Sequence, residues 1–167
     1  MREAAVSSIS VLGPSGGGGG GPFDDFKDRF QNNGLGFPSI VTLQVNAGAT
    51  LDHLRVTYLS PELTGEPDRG LSTVQHGASN GGGALPPFIL SGEKLVIIEG
   101  WLNIFNGTLQ VCGLRFTTSS NRQSGVLGSS TDHGFNYQAP FPGGEIVILF
   151  GREGLFLDAL GVYVRVT

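Results

Sequence analysis

Apolar residues alternate with other residues near the end of the chain: Leu160, Val162 and Val164 fall on one face. That is the two-residue period of a pleated strand. The same alternation recurs at Leu54, Val56 and Tyr58, and at Cys112, Leu114 and Phe116. Each stretch follows an apolar run, in chain order Ile40 to Val45, Leu95 to Ile98 and Ile146 to Phe150. A short turn separates run from alternation: Gly48 to Asp52, Asn106 to Gln110 and Gly154 to Asp158. The chain therefore reads as three diverged copies of one β unit, in which Gln110 stands where the other copies have a carboxylate. Uneven spacing between the copies fits loop insertions. Only Asp24 to Phe30 hints at a helix, and it is too short to be stable alone.

Glycine punctuates the pattern. Gly16 to Gly21 is an unbroken run, Gly81 to Gly83 closes a second glycine-rich loop from His76, and Ser124 to Gly128 holds a weaker third. A phosphate loop is excluded for the first run, because no Gly-Lys-Ser/Thr and no helix follow. A backbone without side chains suits close approach to something else. Residues 1–10 read as an N-terminal extension, with strand-forming character from Val6 to Leu12, and 11–167 as one domain. Residues 60 to 70, rich in Pro, Glu, Gly and Asp, read as a surface loop. Pro86 to Leu90 reads as a short strand at an edge.

Composition narrows the class. Of 167 residues 28 are Gly and 14% are charged, with a net charge of −4, so an all-β chain with many turns is expected. The acidic balance argues against a phosphate-backbone surface, hence no nucleic acid partner. No apolar run is long enough to enter and span a bilayer. The first ten residues lack the apolar core of a signal peptide, which predicts a cytoplasmic protein. Asn106-Gly-Thr108 matches a glycosylation sequon but carries little weight without a secretion route. The single cysteine, Cys112, cannot form an internal bridge and falls on the inward face. His53, His76 and His133 have no paired spacing, so no metal and no cofactor are expected. Asp24 and Asp25, two adjacent acids after a turn, read as solvated.

The turns carry the candidate chemistry. A tight turn can present two or three backbone N–H groups beside an acceptor-only carboxylate. Sugar hydroxyls both donate and accept, so such a cluster suits a neutral polyhydroxyl ligand. The bland reading of each Asp is a local backbone cap. Trp101, placed at the tip between two strands, could stack on a sugar or pack against neighbours. A glycosidase needs two carboxylates facing one bond. The two Gly-x-x-x-Asp turns belong to different units, so no enzyme is predicted. The remaining alternative is a β domain for partner binding or oligomerisation that ignores sugars.

From about Val11 to Val166 the chain resembles the jacalin-related lectins. The resemblance rests on the glycine run before Phe23-Asp24, on Leu114-Arg-Phe-Thr-Thr118, and above all on Phe150-Gly-Arg-Glu-Gly154-Leu-Phe-Leu-Asp158-Ala-Leu-Gly-Val-Tyr163. It implies a β-prism of three four-stranded Greek-key sheets with pseudo-threefold symmetry, binding carbohydrate without catalysis. It implies a first site of Gly20, Gly21, Gly154, Leu155, Phe156 and Asp158. Asp158 accepts from two sugar hydroxyls there, and the N–H groups of Leu155 and Phe156 donate. A second site follows as Gly48, Ala49, Thr50 and Asp52 with Gly82 and Gly83. Gln110 predicts a weak or absent third site, since a charged acceptor is worth about 1.5–3 kcal/mol against roughly 1 for a neutral one. Galactose-type members are cut to free a glycine amine. Here the chain runs through the glycine run unbroken, which favours mannose or glucose, with galactose the alternative. The implied partners are mannose- or glucose-containing glycans and glycoproteins, and a homodimer is expected. One departure is that Gly13-Pro14-Ser15 stands where the family often has an aromatic.

Overall fold

A computed structural model of the chain describes residues 8–31, 36–60 and 70–167; most of the loop expected at 60–70 lies outside them. The three copies form three antiparallel sheets. The first pairs β3 (Ser39–Ala47) with β4 (Leu51–Leu59), flanked by β5 (Leu71–His76) on one side and by β6 (Gly83–Ala84) and β7 (Phe88–Ile89) on the other. In the second, β8 (Leu95–Phe105) pairs with β9 (Thr108–Thr118), between β10 (Leu127–Gly128) and β11 (Gly134–Gln138). The third pairs β12 (Gly144–Glu153) with β13 (Leu157–Val166), and its outer strands come from the other end of the sequence: β1 (Ser8–Gly16) beside β13 and β2 (Gly21–Asp24) beside β12.

This is the all-β, three-sheet prism expected, with two amendments. One sheet has five strands rather than four. Pro86 and Pro87 lie between β6 and β7, and proline has no N–H for a ladder, so the outer strand there is broken in two. Second, β1 begins at Ser8, which pairs with Val166. The paired strand thus reaches into the stretch expected as an extension, and residues 1–7 lie outside those described.

Register reveals how the copies correspond. In each central hairpin one residue bulges where the partner strand runs on without a gap: Asp52 opposite Asn46/Ala47, Asp158 opposite Arg152/Glu153, and Cys112 opposite Trp101/Leu102. Cys112, not Gln110, therefore takes the third carboxylate place. The glycines agree. A Cβ on Gly77 would sit 2.4 Å from the Asp52 carbonyl oxygen, on Gly16 2.2 Å from that of Asp158, and on Gly128 2.5 Å from that of Cys112. The sequence register slips because the middle hairpin is longer. Its segment beyond the bulge runs over 103–110, against 48–50 and 154–156. An Asn106-Gly107 turn with both φ angles positive closes it, at 50° and 78°, as such two-residue hairpins require.

With the register corrected, the inward residues stack in layers between the sheets. Leu54, Leu114 and Leu160 form one layer, then Val56, Phe116 and Val162, then Tyr58, Thr118 and Val164, all buried. Cys112 is buried as expected, and burial raises its thiol pKa. Trp101 lies inside β8 opposite Gly113, not at a tip, with the Arg115 guanidinium 5.8 Å from its ring centre.

A buried polar knot ties the first and third sheets together. Asp25 is buried, not solvated. It accepts from Tyr58 Oη at 2.6 Å and faces His76 Nε2 at 2.9 Å, while His76 Nδ1 meets Glu153. Tyr58 Oη in turn accepts the Leu149 N–H at 3.1 Å. The five-residue π-helical turn Phe26–Phe30 places Asp25 at its start. Asp24 caps that turn, accepting from Phe26 N at 3.1 Å and from Tyr163 Oη at 2.6 Å. Burial disfavours a charge on His76, but its hydrogen bonds to Asp25 and Glu153 outweigh that and raise its pKa.

Candidate functional site

The Gly154-Leu155-Phe156 turn joins β12 to β13 and is closed by Gly154 N donating to the Phe156 carbonyl at 3.1 Å. Among the described residues the N–H groups of Leu155 and Phe156 donate to no acceptor. Asp158 follows at the bulge, so its side chain comes up beside the turn instead of alternating away. Only 4% of it is exposed. Burial raises the Asp158 pKa, while a hydrogen bond with Gln110 and the charge of Arg152 pull the other way.

The glycine run lies against this carboxylate. A Cβ on Gly19 would be 2.6 Å from Asp158 Oδ1. On Gly20 it would be 2.8 Å from Oδ2 and 2.3 Å from the Glu153 carbonyl oxygen, at a φ of +63° that side chains rarely adopt. Arg152 pins the loop through its carbonyls, Nε to Gly19 at 3.0 Å and Nη2 to Gly20 at 2.9 Å. Gly21 opens β2 opposite Glu153. The structure thus brings together all six residues named for the first site.

Two features of this site lie outside the sequence reading. One is Arg152 as the clamp on the glycine loop. The other is a wall supplied by the long middle hairpin: Leu109 and Thr108 back Gly17 and Gly19, and Phe105 meets Phe156 edge-on at 5.3 Å. The five extra residues behind that wall show only in the pairing, not in the sequence. Leu155 and Ile104 are large apolar side chains left exposed.

The second site repeats the geometry. Gly48 N donates to the Thr50 carbonyl at 3.0 Å, closing the same turn. A Cβ on Gly82, at a φ of +68°, would be 2.3 Å from Asp52 Oδ2. Gly83 opens β6 opposite Ala47, as Gly21 does opposite Glu153, so Gly20 corresponds to Gly82 and Gly21 to Gly83. Ala49 sits mid-turn. Thr50 is buried, its hydroxyl donating to the Val111 carbonyl at 3.2 Å. The difference is in the loop, which is one residue longer and carries side chains at Ala78, Ser79 and Asn80; of these, Ser79 Oγ donates to Asp52 Oδ1 at 2.7 Å. The third position offers Cys112 and no carboxylate. Among the described residues no group of three or more His, Cys, Asp or Glu is arranged for a metal ion.

Each turn can therefore offer a carboxylate acceptor and main-chain donors within one small patch. Each carboxylate sits in its own β unit.

Known proteins share this architecture. The family model of the jacalin-like lectin domain matches residues 12–163. An agglutinin from Castanea crenata is 33% identical over 92% of the chain, and the chain spans 46% of that protein's length. Horcolin from Hordeum vulgare is 30% identical over 95% of the chain and 99% of its own. Among solved structures, a mannose-binding jacalin-related lectin from Ananas comosus is 25% identical, with a TM-score of 0.71, covering 93% of this chain and 96% of its own.

Proposed function

Since the chain belongs to the jacalin-like lectin family, we propose that it binds mannose- or glucose-type saccharides at its two Gly-x-x-x-Asp turns, without catalysis. One observation carries this reading. The buried Asp158 carboxylate shares its patch with two unengaged N–H groups and a loop that no side chain occupies. Two neighbouring sugar hydroxyls donate to the carboxylate, and their oxygens accept from Leu155 N and Phe156 N. The loop running unbroken from β1 into β2 and the mannose-binding relative support mannose over galactose. With one carboxylate per site, the arrangement lacks the pair that hydrolysis uses.

Each site covers little of its ligand, so a monovalent dissociation constant near millimolar, about −4 kcal/mol, is expected. Two sites per chain, doubled in a homodimer, raise the avidity for glycoproteins bearing many mannose ends. The test is calorimetry with methyl α-mannoside and methyl α-galactoside on the native chain and on Asp158→Asn. Mannoside binding that falls about tenfold or more at the first site, with no response to galactoside, supports the reading. A native chain that binds neither sugar overturns it.

A further inference from the structure

We infer that the loop of the second site is also part of the first, and that a saccharide at the second site is felt at the first through Ser79. This rests on the reading that both turns bind sugar.

The segment from His76 to Ser79 runs along Glu153 to Leu155. His76 meets Glu153; Ala78 N donates to the Gly154 carbonyl at 3.0 Å, and Ser79 N to the Leu155 carbonyl at 2.8 Å. Those two carbonyls matter because a peptide group is planar. The Gly154 carbonyl shares its plane with Leu155 N–H, and the Leu155 carbonyl with Phe156 N–H. The two main-chain donors of the first site are thus aimed by the second site's loop. A bond on the carbonyl side of an amide also polarises its N–H.

Ser79 faces the other way with its side chain. Its hydroxyl donates to Asp52 Oδ1 at 2.7 Å and accepts Gly81 N at 3.1 Å, and its carbonyl faces His53 Nδ1 at 2.8 Å. A sugar hydroxyl arriving at Asp52 Oδ1 takes the place of the Ser79 hydroxyl. The residue that lets go of Asp52 is the one that holds the Leu155 carbonyl. The first loop has no counterpart, since its residues between Gly16 and Gly21 are all glycine. Coupling of this kind is reciprocal, so filling the first site tightens the Ser79 contact and weakens the second.

The experiment is an amide-resolved NMR titration of Asp158→Asn with methyl α-mannoside, repeated with Ser79→Ala and Ser79→Gly added. Sugar in the second site of Asp158→Asn is expected to move the Leu155 and Phe156 amide signals. Adding either Ser79 change should abolish that movement and tighten the second site about fivefold, the worth of one hydrogen bond that no longer has to be displaced. Binding at the second site with still signals at 155–156, or movement that survives the loss of the Ser79 hydroxyl, overturns the inference and leaves the lectin reading intact. If the native chain binds mannoside but Asp158→Asn binds none, the inference falls and the lectin reading keeps only its first site. A native chain that binds no mannoside overturns both.

Discussion

Asp158 is buried, yet under the proposed function it has to be charged to accept hydrogen bonds from two sugar hydroxyls. Burial raises its pKa above the ordinary 3.8, against the pull of Gln110 and Arg152. Its proton is therefore held more tightly in the folded chain than in the unfolded one, and ionising it costs stability as pH rises through that interval. Binding runs the opposite way: affinity at the first site is expected to fall, on acidification, at a pH above the range of an exposed aspartate. Glu153 beside the turn is engaged by His76, so Arg152 is the near charge that opposes the shift. Mannoside affinity measured against pH in an Asp52→Asn chain isolates this group. The glycines around it are not equivalent. Gly20→Ala forces a Cβ onto the Glu153 carbonyl at a positive φ, costing about 1–2 kcal/mol or more and the first site with it. A Cβ on Gly18 would meet nothing within 4 Å, so Gly18→Ala should leave thermal stability nearly unchanged. At this scale Asp158, Asp52 and their turns were legible, because family motif and turn chemistry coincide there. Gln110 was not. A sequence repeat aligns letters, and the extra length of the middle hairpin moved the carboxylate place two residues on, to Cys112.

The elements show where one unit serves another. The long hairpin of β8 and β9 belongs to the second sheet but walls the site of the third. Its turn at Asn106 to Gln110 reads as short as the other two, because the pairing that extends the hairpin is not a sequence signal, and its target depends on packing across the prism. The same is true of Asp25 and His76, which reading one residue at a time left solvated or scattered. Together they form the joint between sheets. His76 is the titrating member, with a pKa raised above 6.5. Its stabilising contribution is therefore complete below 6.5 and is lost as pH rises through the higher folded value. His76→Leu leaves Asp25 buried beside Tyr58 with one partner fewer and is expected to cost about 3 kcal/mol. Urea denaturation at several pH values checks both claims: the native chain weakens as pH rises from 6.5 through the higher folded value, and the His76→Leu chain lacks that slope.

For the whole molecule, alternation and repeats were enough to give three β units and an all-β chain. The closure of the third sheet could not be read the same way. Nothing in local sequence says that β1 and β2 complete the unit begun by β12 and β13. The register does, with Ser8 opposite Val166 and Gly16 opposite Ala159. In order of pairing, β12, β13, β1 and β2 repeat what β3, β4, β5 and β6 do in unbroken sequence. The fold is thus three equivalent units, and the third is assembled from strands at both ends of the described residues. A rewired chain with a short linker from Thr167 to Ser8, opened between β4 and β5, should keep the same circular dichroism and the same mannoside affinity at its first site.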